Sequence, residues 1–230
     1  MKFTENSKLG DVLTEHYQLL LLLSRFGISL GFGDKTVKAV CDDNGVDCKT
    51  FLAVCNYVAL GDSSLYHDVD VAPMVRFLRL AHKYYLEFLL PELREKLVSI
   101  IGSIPDRTFS DLVIKLFDSY SEEVRKHLEF EDKVIFDYTM RLVDGQSDLP
   151  ALSLSSFIRQ HDNIDTRLFE LKNAMIRYFP AGDNLRQVNQ VLYDIFSFEE
   201  DLKSHCDIEG NLFIPAVVEL EKKRRASSVL

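Results

Sequence analysis

Two short stretches constrain this chain more than any other: HLEFE, from His127 to Glu131, and HCDIE, from His205 to Glu209. Each sets a histidine four residues ahead of a glutamate. On a helix, residues four apart lie one above the other on the same face. An imidazole and a carboxylate stacked in this way can hold one metal ion or bridge two. A single HxxxE is common helix decoration, because i,i+4 pairs recur on helical surfaces. Two further histidines, His82 and His161, lift these stretches above decoration.

His82 and His127 are 45 residues apart, and His161 and His205 are 44 apart. Helix breakers stand near both midpoints, Pro105 in GSIPDRTFS and Asp183 in PAGDN. The middle gap, from His127 to His161, is 34 residues and centres on Asp144 in VDGQSDLP. A helix that runs out, turns and returns by an equal count comes back to its starting level, because each residue rises about 1.5 Å. The spacing therefore predicts an all-α, antiparallel up-down four-helix bundle with His82, His127, His161 and His205 at one height. Glu131 and Glu209 join them within a turn. The halves repeat as well: His161 follows His82 by 79 residues, and Glu209 follows Glu131 by 78.

Four imidazoles and two carboxylates, with no thiolate, suit iron, manganese or zinc. Two bridging carboxylates suit a pair of ions. A ferritin-like di-iron bundle uses Glu-x-x-His instead, and no glutamate stands three residues before any of these four histidines. The set is richer in imidazole than that. Glu123 and Asp201 lie four residues before a candidate ligand histidine, and Asp165 lies four after His161. These three share the stripe of the site. They are either an acidic lining that orients imidazoles and relays protons or iron, or ordinary solvated helix carboxylates.

The remaining composition narrows the function classes. The chain has 230 residues, 47% hydrophobic and 27% charged, which suits one or two globular domains. A formal net charge of −9 argues against nucleic acid as a partner, since that needs basic surface. MKFTENSKLGDVLTEH lacks the basic-then-apolar pattern of a secretory signal. The longest leucine run, Leu19 to Leu23, is too short to span a bilayer. No membrane association is expected, and the expected location is the cytoplasm. Cys41, Cys48 and Cys55 recur every seven residues, and Cys206 stands alone. That is neither a metal-site spacing nor a disulfide framework. The three-cysteine series suits buried small apolar positions on helices.

Taken in order, residues 1–60 are expected to form a small helical N-terminal domain. Leu9 to Phe26 suits one helix ending at Gly27, and a turn follows through Gly31 and Gly33. Shorter helices over Thr36–Asp43 and Asp47–Ala59 come next, with Asp47 as N-cap. So small a unit should pack on the bundle or on another copy of itself. Residues 61–70, GDSSLYHDVD, suit a linker, with His67 a solvated loop residue and His16 part of a polar helix face. The bundle itself is expected over 71–225. Its helices begin near Asp70, near Asp106 or Thr108, after Pro150 and at Asp183. Pro91 and Pro215, nine and ten residues beyond His82 and His205, should kink the first and last of them. The last helix should end near Lys222, where KKRR favours a helix C-terminus.

HKYYLEFLLPEL from His82, HLEFE, His161 and HCDIEGNLFIP resemble the hemerythrin-like domain of the di-iron proteins called the repair-of-iron-centres family. That family runs His, HxxxE, His, HxxxE across four helices. KLGDVLTEHYQLLLLLSRFGISLGFGDKTVKAVC is similar to its small N-terminal domain. The resemblance implies two iron ions, with His82, His127, His161 and His205 as terminal ligands and Glu131 and Glu209 as bridges. It implies a cytoplasmic stress protein acting on nitric oxide or oxygen species, donating iron to damaged iron–sulfur proteins. The alternative is a non-enzymatic module that binds or senses oxygen or nitric oxide at the same centre. A homodimer through the N-terminal domain is a further expectation. One departure stands out: the family's N-terminal turn carries adjacent cysteines close to CCGG, and here the matching residues are Gly31, Phe32, Gly33 and Asp34. Any role of that thiol pair does not carry over.

Overall fold

The computed structural model describes residues 2–102, 104–146, 165–180 and 184–227. Among them the chain is mostly helical, and the only extended pairing is an isolated bridge between Lys8 and Thr36. It divides into two compact units, each built from separate stretches of sequence. The division falls within helical runs, after Ala81, after Lys133 and after Lys203.

One unit comprises residues 82–133 and 152–203. Its main helices are α6 (Leu90–Ile101) and α7 (Arg107–Phe130), with α9 (Asp165–Tyr178) and α10 (Leu185–Ile208) from the second half. Asp106 caps α7, its side chain accepting from the Phe109 N–H at 3.1 Å. Side-chain pairs close the four helices into a ring. Arg94 meets Asp118 at 2.7 Å, and Glu123 meets Arg167 at 3.5 Å. Lys172 meets Glu199, and Lys96 meets Asp194 at 2.8 Å. The register of these contacts makes neighbours antiparallel. Going from Arg94 to Ile101 on α6, the partner on α7 moves back from Asp118 to Ser110. Going from Tyr85 to Ile100, the partner moves back from Asp201 to Asn184. This is the up-down four-helix bundle that the histidine spacing predicts. Its core is Leu93, Leu97, Phe117, Tyr120, Val124, Leu171, Ile195 and Phe198, all 3% exposed or less.

The other unit joins residues 1–81 to 134–151 and 204–230. The expected helix over Leu9–Phe26 is interrupted: α1 (Leu9–Glu15) stops at His16, whose φ of −133° and ψ of 69° are not helical. A 3₁₀ turn, Tyr17–Leu19, leads into α2 (Leu20–Arg25). Periodicity alone could not reveal the break, because apolar residues continue through it. Beyond it come α3 (Val37–Asn44) and α4 (Cys48–Leu60). Thr36 and Asp47 cap them, accepting from the Ala39 and Thr50 N–H groups at 3.3 and 2.8 Å. Gly45 and Gly61 end them in the left-handed region, φ 64° and 70°, where a side chain would be strained.

The 61–70 stretch contains a 3₁₀ helix, Ser63–Asp68, before α5 (Val71–Tyr84) begins. This unit also holds α8 (Asp137–Val143) and α11 (Ile214–Ser227), which runs to Ser227, past the expected end near Lys222. Within it the N-terminal helices pack on bundle residues. The Phe26 ring stacks on Phe77 of α5 at 4.5 Å, and Asn211 donates to the Tyr57 hydroxyl at 2.8 Å. His67 is not merely solvated: its Nδ1 lies 2.8 Å from Glu219 on α11.

Candidate metal centre

Among the described residues, the candidate ligands sit where helices change register. His82 lies in the last turn of α5, just before a π-helical segment, Tyr85–Leu89. His127 lies in the last turn of α7, and Glu131 opens a second such segment, Glu131–Phe136. His205 lies in the last turn of α10, and Glu209 opens a third, Glu209–Phe213. A π turn adds a residue to the helical repeat, which turns the side chains beyond it by about 100°. Such turns are rare and gather at functional sites. Two of the three precede a proline, Pro91 and Pro215, and end where the prolines remove a donor.

Buried side chains meet at these points. His82 Nε2 is 3.3 Å from Glu131 Oε2, and His127 Nε2 is 2.9 Å from Glu131 Oε1. His205 Nε2 is 3.3 Å from Glu209 Oε1. His82, Glu131, His205 and Glu209 each offer one ligand atom, and these four atoms all lie within 4.8 Å of one another. Exposure is 1% for His82 and 0% for the other three, and His127 is buried at 7%.

The chemistry of this donor set fits a metal cation. Nitrogen and oxygen ligands hold ions such as iron or zinc at about 2.0–2.2 Å, so ligand atoms across one ion stand about 4 Å apart. Two carboxylates without solvent are costly to bury, by several kcal/mol each on the order of buried-ion penalties, unless positive charge offsets them. A divalent cation among imidazoles supplies that charge.

Among the other sequence candidates, His161 lies outside the described residues, and Asp165 opens α9. The Glu123 carboxylate pairs with Arg167. The Asp201 backbone carbonyl accepts from the Tyr85 hydroxyl at 3.3 Å, and its side chain is half-buried. His16 packs edge-on against Phe3 at 5.1 Å. One residue escaped the sequence reading. Asp132 Oδ1 lies 3.2 Å from His82 Nδ1, on the side of the ring away from Glu131. The available signal was an extra carboxylate directly after one HxxxE, in HLEFED, where the other has HCDIEG.

The N-terminal cysteines are interior residues. Cys41, Cys48 and Cys55 are 0%, 9% and 2% exposed. Burial is the first cause pushing all three thiols up, the reverse of what a reactive thiolate needs. Gly31 and Gly33 adopt φ of 99° and 61° in the turn between α2 and α3.

Helices that bring buried histidines and glutamates to one point define a metal-binding, all-α protein. The hemerythrin HHE cation binding domain family matches residues 74–217, more than half of the chain, and the protein belongs to that family. No curated protein matches it. Among the described residues, no helix is long and apolar enough to cross a membrane.

Proposed function

We propose that the chain is a non-haem di-iron protein of the cytoplasm that acts on nitric oxide or oxygen species under nitrosative or oxidative stress. His82, His127, His161 and His205 are its terminal ligands, and Glu131 and Glu209 its bridges. The observation that carries the reading is the buried group of His82, Glu131, His205 and Glu209, whose ligand atoms span no more than 4.8 Å. A pair of iron ions held there supplies redox chemistry toward small diatomic molecules. The protein's part is to hold the ligands in place, keep water out and balance charge. The two oxygens of Glu131 face different imidazoles, Oε2 that of His82 and Oε1 that of His127, and this supports assigning Glu131 a place between two ions.

Iron donation to damaged iron–sulfur proteins rests on the resemblance to the repair-of-iron-centres family. A second reading, a module that binds or senses oxygen or nitric oxide without turnover, is favoured by the N-terminal domain. Its turn carries Gly31, Phe32, Gly33 and Asp34 in place of adjacent thiols, and its cysteines are buried. The first test is elemental analysis with optical spectra before and after nitric oxide. Two irons per chain and a spectral change are expected, and one tight zinc without iron would sink the di-iron reading. Iron transfer to an apo-cluster protein separates the two roles: transfer supports repair, and stable retention with reversible ligand binding supports sensing.

A further inference from the structure

The two nitrogens of the His82 ring have different neighbours. Nε2 faces Glu131 Oε2 at 3.3 Å, and Nδ1 faces Asp132 Oδ1 at 3.2 Å. The imidazole is buried, while the Asp132 side chain keeps 34% of its surface exposed. Glu131 and Asp132 are consecutive residues at the start of one π segment. One turn of backbone therefore holds both edges of the same ring.

A neutral imidazole carries one proton, and an ionised carboxylate can only accept. Both carboxylates can accept that proton, Glu131 at Nε2 and Asp132 at Nδ1; a cation that takes the Nε2 lone pair leaves the proton on Nδ1, where Asp132 Oδ1 stands 3.2 Å away to accept it. We propose that Asp132 is a positioning residue, which fixes the tautomer and orientation of His82 so that Nε2 serves as the ligand atom. The inference rests on the metal-centre reading above. Carboxylates placed in this way behind a ligating histidine orient it and raise its basicity.

The two repeats differ in sequence at this point. In the second repeat the residue after the glutamate is Gly210, where the first has Asp132. Space does not force this, since a Cβ built at Gly210 meets nothing within 4 Å. At this sequence position the chain carries a carboxylate in the first repeat and none in the second.

The test uses the full chain with Asp132→Asn and Asp132→Ala. Asn keeps the shape and an accepting oxygen but loses the charge, so it separates orientation from folding. Two readouts are needed. In the zinc-loaded protein, which is diamagnetic, nitrogen NMR of the histidine rings should show the His82 proton on Nδ1 and slow to exchange, and Asp132→Ala should speed its exchange. Anaerobic titration with iron(II), and with cobalt(II) as an optical probe, should show about 10- to 100-fold weaker binding in Asp132→Ala. Asp132→Asn should fall between that variant and the parent. A parent His82 protonated at Nε2, or unchanged affinity in both variants, overturns the proposal. If the parent binds none of these metals, the metal-centre reading fails and the proposal falls with it, whereas a parent that binds metal with unchanged affinity in both variants overturns the proposal alone.

Discussion

At the residue scale, the chemistry concentrates in a few buried polar side chains, and each carries a consequence. Glu209 is fully buried beside His205. Its carboxylate is useful with a cation present and costly without one. Metal that binds only the folded chain stabilises it by about 2.7 kcal/mol at a hundredfold excess over Kd. For a chain of this length that corresponds to a rise of about 5–10 °C in Tm. Glu209→Gln should abolish most of that rise while leaving the metal-free Tm within a few degrees, and Glu131→Gln should do the same. Calorimetry with and without iron(II) checks it, and a full metal-induced rise in both variants would remove them from the site.

The cysteines give a second residue-scale prediction. Burial pushes the Cys41 and Cys55 thiols up, so little thiolate forms at neutral pH. In the native protein a thiol reagent at pH 7–8 should label Cys206, which is half-buried, before Cys41 or Cys55. Peptide mapping by mass spectrometry reads the order. Fast labelling of Cys41 would place a reactive thiol among the N-terminal helices and revive a redox role there. The ligand motifs were legible because i,i+4 spacing is a one-dimensional record of a helical face. Asp132 was not, because its partner stands 50 residues away in sequence, and no local pattern records that contact.

At the element scale, the helix starts were legible where a side chain announces them. Thr36, Asp47 and Asp106 all accept from an N–H three residues on. Helix interruptions were legible only where a proline marks them. Pro91 and Pro215 follow two of the π segments, while Glu131–Phe136 has no such marker. The break at His16 was hidden for the same reason. These segments matter because each begins within a turn of a candidate ligand. Pro215 provides a handle: without an N–H it cannot satisfy the Asn211 carbonyl in an α-helical repeat. Pro215→Ala restores that donor and lets α register spread back into Glu209–Phe213. Metal affinity should fall roughly tenfold, the low end for lost support around a ligand, with far-UV circular dichroism unchanged. Unaltered affinity would mean that packing alone maintains the π segment.

At the scale of the whole molecule, the equal histidine spacings revealed the bundle because helix rise is constant, so counting residues measures height. The docking of the N-terminal helices left no comparable trace, since it depends on which surfaces match rather than on any count. Their inner side is covered within their own unit, where Phe26 meets Phe51 and Phe77. Their outer side mixes polar residues with exposed apolar ones, Tyr17 at 77%, Leu20 at 44%, Leu21 at 43% and Leu30 at 71%. We propose that this outer side joins two copies in a homodimer. Replacing Leu20 and Leu21 with serine leaves the buried Leu19, Leu22 and Leu23 in place. The variant should keep its fold and its metal, yet run as a monomer by light scattering where the parent runs as a dimer. Removing residues 1–60 tests the same surface more severely. Every proposed ligand lies at or after His82, so iron should still bind to the shortened chain. It should also lose stability, because Phe77, at 1% exposure, loses its cover from Phe26. A parent that is already monomeric at micromolar concentration overturns the dimer and leaves the metal centre untouched.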